Sequence, residues 1–277
     1  MADTAFMAQY KREFIAGFEQ NQSLLRQTVT TEAMIEGQTA TFLVADSNSA
    51  TAQTRGVNGL IPARADNLNQ YTATLVEWHD LVRKTRFNVF ASQGDQRRIM
   101  QMTTMSVINR KFDEDILSAL SSATVSPSGG AQTMSLDFAM HIKTLLGNSE
   151  VPMDGNIFGV ITPAAEAYLM QTKEFASADY VNNKPFTSAL TMFRWAGVNW
   201  IVHPNLAGKG TSSETCYMYH KNAIGHAFDV GAVNQAIGYD DEQDYSYARC
   251  SAFMGGKILQ NSGIVKFTHD GSAYAAA

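Results

Sequence analysis

Six histidines, His79, His141, His203, His220, His226 and His269, are the side chains of this 277-residue chain best suited to bind a metal or carry a proton near neutral pH. Their spacing joins none of them. There is no HExxH helix face and no Cys/His ligand pattern, so no metal site is predicted. Cys216 and Cys250 form no CxxC pair, which predicts two buried, inert thiols in a reduced, cytoplasmic setting. The glycine-lysine pairs in LAGKGTS (Lys209) and MGGKI (Lys257) do not place Ser or Thr directly after the lysine, as a phosphate loop requires, and no GxSxG elbow or GxGxxG fingerprint occurs. Asp240, Asp241, Glu242 and Asp244 could hold a divalent cation, but such a run reads more simply as a solvated turn ahead of a strand. Phe193, Trp195 and Trp200 could form a stacking platform or pack in a core, the commoner use of such residues. No convergent set of titratable groups is visible. No enzymatic activity, catalytic residue or cofactor is therefore predicted. The alternative from another class is an α/β enzyme whose unrecognised site lies within residues 131–235.

Composition narrows the partners. The net charge of −5 argues against a strong basic footprint for nucleic acid, although weak, non-specific contact stays open. Charged residues make up 17% of the chain, against roughly 25% in ordinary soluble domains. A surface this poor in charge is expected to meet other protein. No signal sequence opens the chain, and no apolar run is long enough to span a membrane.

Whatever the chain does must be positioned by its most regular stretch. From Asp95, a predicted N-cap, to Thr124, apolar residues fall at Met102, Met105, Ile108, Phe112, Ile116 and Leu120, three or four residues apart. Neither Pro nor Gly interrupts the stretch, and a helix over 95–124 would span roughly 43 Å. Arg97, Arg98, Asn109, Arg110, Lys111, Asp113 and Glu114 occupy its polar side. Such a rod can cross a whole subunit and carry separate elements at its two ends.

Before it, Met7, Tyr10, Phe14 and Phe18 predict a short amphipathic helix that needs a docking surface, because Gly17 weakens it. Residues 28–46 read as a strand pair turning at Gly37. Two extended runs, 55–61 and 71–80, flank a polar tip at 62–70 and predict a long hairpin. Neither run has a cleanly alternating apolar face, and such a two-stranded ribbon is marginal in water on its own. After the rod, LDFAMHIKTLLG predicts a helix on Leu136, Met140, Leu145 and Leu146, ended by Gly147. NIFGVIT reads as a buried strand, and Pro163 opens a helix at its first position. Further strands at 198–203 and near Cys216 complete a compact α/β domain. In the closing segment, Ser246, Ala248, Cys250 and Ala252 share one face, and side chains this small let the rod helix pack closely.

This order of parts, carried by FEQNQSLLRQTV, RGVNGLIPARADNLNQYTATLVEWHD, DQRRIMQMTTMSVINRKFDEDILSAL, ITPAAEAYL and SYARCSAFMGGKILQNSGIVKFT, resembles tailed-bacteriophage major capsid proteins of the Hong Kong 97 (HK97) type. The resemblance covers nearly the whole chain and rests on order and spacing, since no single motif is diagnostic. It implies an α+β HK97-like fold with an N-arm (1–53), an E-loop hairpin (54–84), a P-domain (85–130 and 236–270, with spine helix 95–124), an α/β A-domain (131–235) and a C-terminal tail (271–277). It also implies pentamers and hexamers closing an icosahedral shell around double-stranded DNA in the virion, after assembly in the host bacterial cytoplasm. An encapsulin-like compartment shell of the same fold is the alternative. Arg55, Arg64, Trp78, Arg83 and Arg86 become candidates for contact between subunits. Some members cross-link a hairpin lysine to a neighbour's asparagine, but residues 55–83 contain no Lys. Few residues precede the hairpin for a cleaved scaffolding segment, so a separate scaffolding protein is expected, with a portal and a decoration protein as further partners.

Overall fold

The computed structural model describes residues 22–31, 33–47, 50–64, 67–91, 96–173, 192–228 and 234–274. The amphipathic helix expected near residues 7–18 and the Asp95 cap lie outside them. In chain order the elements are β1 (Met34–Glu36), β2 (Thr39–Asp46), β3 (Asn67–Thr74), β4 (Val76–Thr85), α1 (Arg86–Ala91), α2 (Gln96–Ser121), α3 (Leu136–Asn148), β5 (Ile157–Ile161), α4 (Pro163–Gln171), β6 (Met192–Trp195), β7 (Val198–Val202), β8 (Glu214–His220), β9 (Ile224–Phe228), β10 (Asn234–Asp240), β11 (Tyr245–Ile258) and β12 (Ile264–His269). Two compact units divide the chain. The first takes 76–113 and 228–254, and the second takes 24–75, 114–227 and 255–277. The division passes through α2 and β11.

In the first unit β11 is the central strand, antiparallel to β10 and to β4. Its small-residue face is buried as the alternation predicts, and Cys250, Ala252 and Met254 form one cluster with Ile108 and Phe112 of α2. The buried row of α2 is Met100, Thr104, Ile108 and Phe112, continued in the second unit by Ile116 and Leu120. This strict four-residue step leaves Met102, expected on the buried face, 45% exposed. Thr104 joins the row without cost because its hydroxyl donates to the Met100 carbonyl at 2.9 Å. The helix ends at Ser121, three residues short of expectation. There the Ser121 and Ser122 hydroxyls donate to the carbonyls of Ser118 and Ala119, and Lys266 Nζ donates to the Ser121 carbonyl at 3.2 Å.

The second unit holds a five-stranded sheet in the order β12-β8-β5-β7-β6. Every residue of β5 is buried, as its unbroken apolar run predicts. Phe193, Trp195 and Trp200 are core residues, with Trp200 Nε1 donating to the Trp195 carbonyl. Thr162 caps α4 by accepting from Ala165 N at 3.2 Å, and Pro163 takes the first turn. Two expectations change here. The buried face of α3 is Phe138, Ala139, Ile142 and Leu146, with Met140 exposed, and the helix continues through Gly147 to Asn148. Strand β12, at the end of the closing segment, belongs to this sheet, paired along β8.

The hairpin is displaced from its predicted arms. Strands β2 and β3 are its arms, antiparallel over eight register pairs from Thr39–Thr74 to Asp46–Asn67. Residues 55–61, expected as an arm, belong instead to the connecting loop, where Gly56 to Gly59 make a turn with Gly59 at φ +72°. β1 lies outside β2, joined through the predicted turn at Gly37 (φ +59°). The missing alternation over 71–80 has a simple cause. Leu75 interrupts the strand, with its N–H donating to the Gln38 carbonyl. Tyr71, Ala73 and Leu75 turn inward before the break, whereas Trp78, Asp80, Val82 and Lys84 do so after it.

Candidate inter-subunit surfaces

Residues 50–64 of the hairpin loop are exposed throughout. They include Val57, which is fully exposed, and Leu60 and Ile61 at 74% and 70% exposure. An aliphatic side chain gains about 1.5–3 kcal/mol when buried, so three held in water on one loop mark a surface built for contact. Register carries the same character onto the strands. Leu43 opposes Gln70 and Ala45 opposes Leu68, so Leu43 and Leu68 share a face, and both are more than 70% exposed. The opposite face buries Ala40, Phe42 and Ala73 with Leu75, Ala227 and Leu259. The hairpin thus has an inner face that is packed and an open outer face and tip on which Leu43, Leu68, Val57, Leu60 and Ile61 stand exposed among polar residues. Arg55 and Arg64 lie within this loop, both exposed.

The other three candidates fall in the first unit. Trp78 is half-buried on the inward face of β4, against the cluster of Ile108 and Phe112, with Lys111 Nζ 4.1 Å from its ring centroid. Arg83 stands on the outward face of β4 with its guanidinium 4.8 Å from the Tyr245 ring centroid. Arg86 opens α1, and its backbone N–H donates to the Asp244 carbonyl at 3.4 Å. Both arginines therefore adjoin the turn between β10 and β11.

That turn contains Asp240, Asp241, Glu242 and Asp244. Asp240 Oδ1 accepts from Glu242 N at 2.9 Å and from Gln243 N at 3.2 Å. The hydrogen bond from Gln243 leads the causes that hold the Asp240 carboxyl below its usual range, with Tyr245, Glu242 and Arg83 contributing. Asp244 takes the Tyr239 hydroxyl and sits at φ +49°. The acidic run is a self-capped turn beside two arginines. Among the described residues no group of three or more His, Cys, Asp or Glu side chains is arranged to hold a metal ion.

Two surface clefts, of about 510 and 320 Å³, open among the described residues. One is lined by residues including Tyr71, Lys257 and Asn261, the other by residues including Gln101, Met105 and Gln235. Neither brings a histidine, cysteine or carboxylate to its wall among the described residues. No helix among the described residues is long and apolar enough to cross a membrane. Sequence reasoning missed Leu43 and Leu68 as surface residues, because their outward position follows from the β2–β3 register. It also missed two histidine–carboxylate pairs with buried imidazoles, His226 Nε2 with Asp115 Oδ2 at 3.0 Å and His269 with Glu214, whose partners are far apart in sequence.

Comparison with known proteins places this architecture. Among curated proteins none matches the chain. Among solved structures the fold is similar to one from Mycobacterium phage Che8 (17% identity, TM-score 0.74, 96% of this chain and 98% of that one). It is also similar to the capsid of a native GTA particle (11% identity, TM-score 0.72, 96% of each chain) and to the capsid of the cyanophage P-SCSP1u (12% identity, TM-score 0.69, 95% and 93%). The mixed helix and sheet architecture is that of HK97-like capsids. Residues 2–271 match the family described as phage capsid protein, and the chain belongs to that family, with the structural, non-enzymatic role this carries.

Proposed function

We propose that the chain is the major shell subunit of a tailed phage, closing through pentamers and hexamers into an icosahedral shell around double-stranded DNA. The observation that carries the reading is the hairpin loop 50–64, with Val57, Leu60 and Ile61 in water at the end of a ribbon packed only on its inner face. A subunit that lays this loop on a neighbour removes apolar surface that its own fold leaves exposed. Many such contacts repeated around a closed particle add up through multivalency.

In this reading residues 1–53 act as N-arm, 54–84 as E-loop, 85–130 and 236–270 as P-domain and 131–235 as A-domain. The pairing of β2 with β3 extends the hairpin's inner limit to Thr39, and the pairing of β12 with β8 draws residues 264–269 toward the A-domain sheet. Arg55, Arg64, Arg83 and Arg86 pair with acidic groups of the adjacent copy, the last two from beside the turn at 240–244. A separate scaffolding protein guides closure, a portal occupies one vertex and a decoration protein binds outside. The packaged DNA is touched without sequence preference. The particle assembles in the host cytoplasm and ends as the virion shell.

Electron microscopy of the purified chain, alone and co-expressed with neighbouring phage genes, tests the reading. Closed or irregular shells, with double-stranded DNA inside native particles, are expected. A monodisperse monomer under every assembly condition overturns it. Small regular shells filled with an enzyme and free of DNA would identify an encapsulin-like compartment instead.

A further inference from the structure

Glu214 and His269 are fully buried and face each other as a register pair at the adjoining ends of β8 and β12. The Glu214 carboxylate gathers three segments. Its Oε1 accepts the Gly210 N–H at 2.6 Å, and its Oε2 accepts the hydroxyl of Thr162, which in turn accepts Ala165 N at the start of α4. Gly271 closes over the carboxylate so tightly that a Cβ there would fall 2.4 Å from Glu214 Oε1. The turn after β12 is also tied down by Gly271 N donating to the Thr211 carbonyl at 3.0 Å and Asp270 N donating to the Gln132 carbonyl at 3.1 Å.

His269 occupies the middle of this arrangement with an incomplete set of bonds. Its Nδ1 lies 3.1 Å from the Gln132 carbonyl, an acceptor, so the neutral ring carries its proton on Nδ1. Nε2 then presents a bare lone pair. It is buried, has no hydrogen-bond partner and lies 3.9 Å from Glu214 Oε2, beyond hydrogen-bond reach. Rings wall the site, with Tyr168 of α4 edge-on to the imidazole at 5.3 Å between centroids and Tyr274 edge-on to Tyr168 at 5.2 Å.

We propose that the His269–Glu214 pair is an acid-released latch, fastening the turn after β12 and the loop before β8 to the α/β sheet while the imidazole is neutral. A proton taken up at Nε2 creates a cation where no water reaches. The facing carboxylate is already held by Thr162 and Gly210, and Gly271 and Tyr168 confine the space in which the ring could shift toward it. Separation of β12 from β8 hydrates the imidazolium, so acid favours the open state.

The titratable groups around the imidazole are Glu214, with Cys216 further along β8, Asp270 beside it in the chain and Tyr168 on α4, against which Tyr274 of the last turn packs. Burial acts first and holds the His269 pKa below its ordinary value, against the Gln132 hydrogen bond and the charges of Glu214 and Asp270. A depressed histidine means that the open state binds more protons. Closure is therefore at full strength above the ordinary histidine range and weakens as pH falls through it. The latch lies within the second unit and does not depend on the shell reading, so either can fail alone.

Amide hydrogen exchange of the full-length protein from pH 7.5 to 5.0, corrected for intrinsic rates, tests the latch. In peptides covering 207–215 and 264–274, the opening equilibrium is expected to rise up to about tenfold per pH unit below roughly 6.5. His269→Asn keeps a donor toward the Gln132 carbonyl and cannot take up a proton, so its profile is expected to be flat in these peptides. Equal pH dependence in the two proteins overturns the proposal. So does protection that grows on acidification, as it would if the imidazolium simply closed onto Glu214. Should the variant fail to fold, exchange at the imidazole C2 carbon of the native protein decides. A midpoint for His269 below that of an exposed histidine supports the latch, and one at or above it overturns it.

Discussion

Lys111 holds its ammonium 4.1 Å from the centroid of the Trp78 indole, so β4 and α2 of the first unit are joined by a cation over an aromatic face. Trp78 also packs against the cluster of Ile108 and Phe112. Trp78→Ala is expected to cost about 3 kcal/mol, at the lower end for a large aromatic because the side chain is only half-buried. The coupling between the two residues should be about 0.5–1 kcal/mol. Urea unfolding of both single variants and the double variant measures it, and a coupling of zero would reduce the pair to simple proximity.

Ala248 is buried on the small-residue face of β11, beside the residues that meet α2. Ala248→Phe forces a ring into a layer sized for a methyl group and should destabilise the protein by roughly 1–3 kcal/mol. A thermal melt indistinguishable from that of the parent would show that the strand has slack there.

Val57, Leu60 and Ile61 make almost no contact with their own subunit, so exchanging all three for Ser separates folding from assembly. Circular dichroism and melting temperature should stay within the small range of surface substitutions, about 0.5 kcal/mol. Particle formation followed by sedimentation should fall sharply. Normal shells from the triple variant would remove the loop from the assembly contact.

Burial pushes the Cys216 thiol up to about 12, and burial followed by the nearby charge of Asp80 raises Cys250. At pH 8 only about one Cys216 in ten thousand would be thiolate. Iodoacetamide should leave both cysteines unmodified in the native protein and alkylate both in denaturant, as read by intact mass. Rapid native labelling would mean that this region opens far more often than its packing suggests.

Local rules written in the residues made part of this architecture legible in advance. Pro163 after a threonine cap, the solid apolar run of β5 and the small face of β11 each state their element without reference to anything distant. The rod helix was visible for the same reason, although a tolerance of three- or four-residue steps admitted Met102, which the strict four-residue row excludes. The hairpin arms were misplaced because the loop between β2 and β3 carries a short apolar run, Leu60 and Ile61 near Val57, that reads locally like a strand, and only the cross-strand register assigns it. The parity change at Leu75 is equally invisible locally, since it depends on a hydrogen bond to Gln38. His269 and Glu214 lie 55 positions apart and meet only through the pairing of β12 with β8. Of the site candidates, Arg55 and Arg64 fall on the exposed loop, and Trp78, Arg83 and Arg86 on β4 and at the start of α1.

The place of β12 in its sheet bears on synthesis. It covers the outer edge of β8, yet it is made last of the five strands. Until residues 264–269 leave the ribosome, a growing chain displays β8 with bare N–H and C=O groups along that side, an invitation to adhere to nascent siblings on the same polysome. Translation pace over the closing segment, or a chaperone waiting there, would then govern how many subunits are lost before they can ever be counted into a particle.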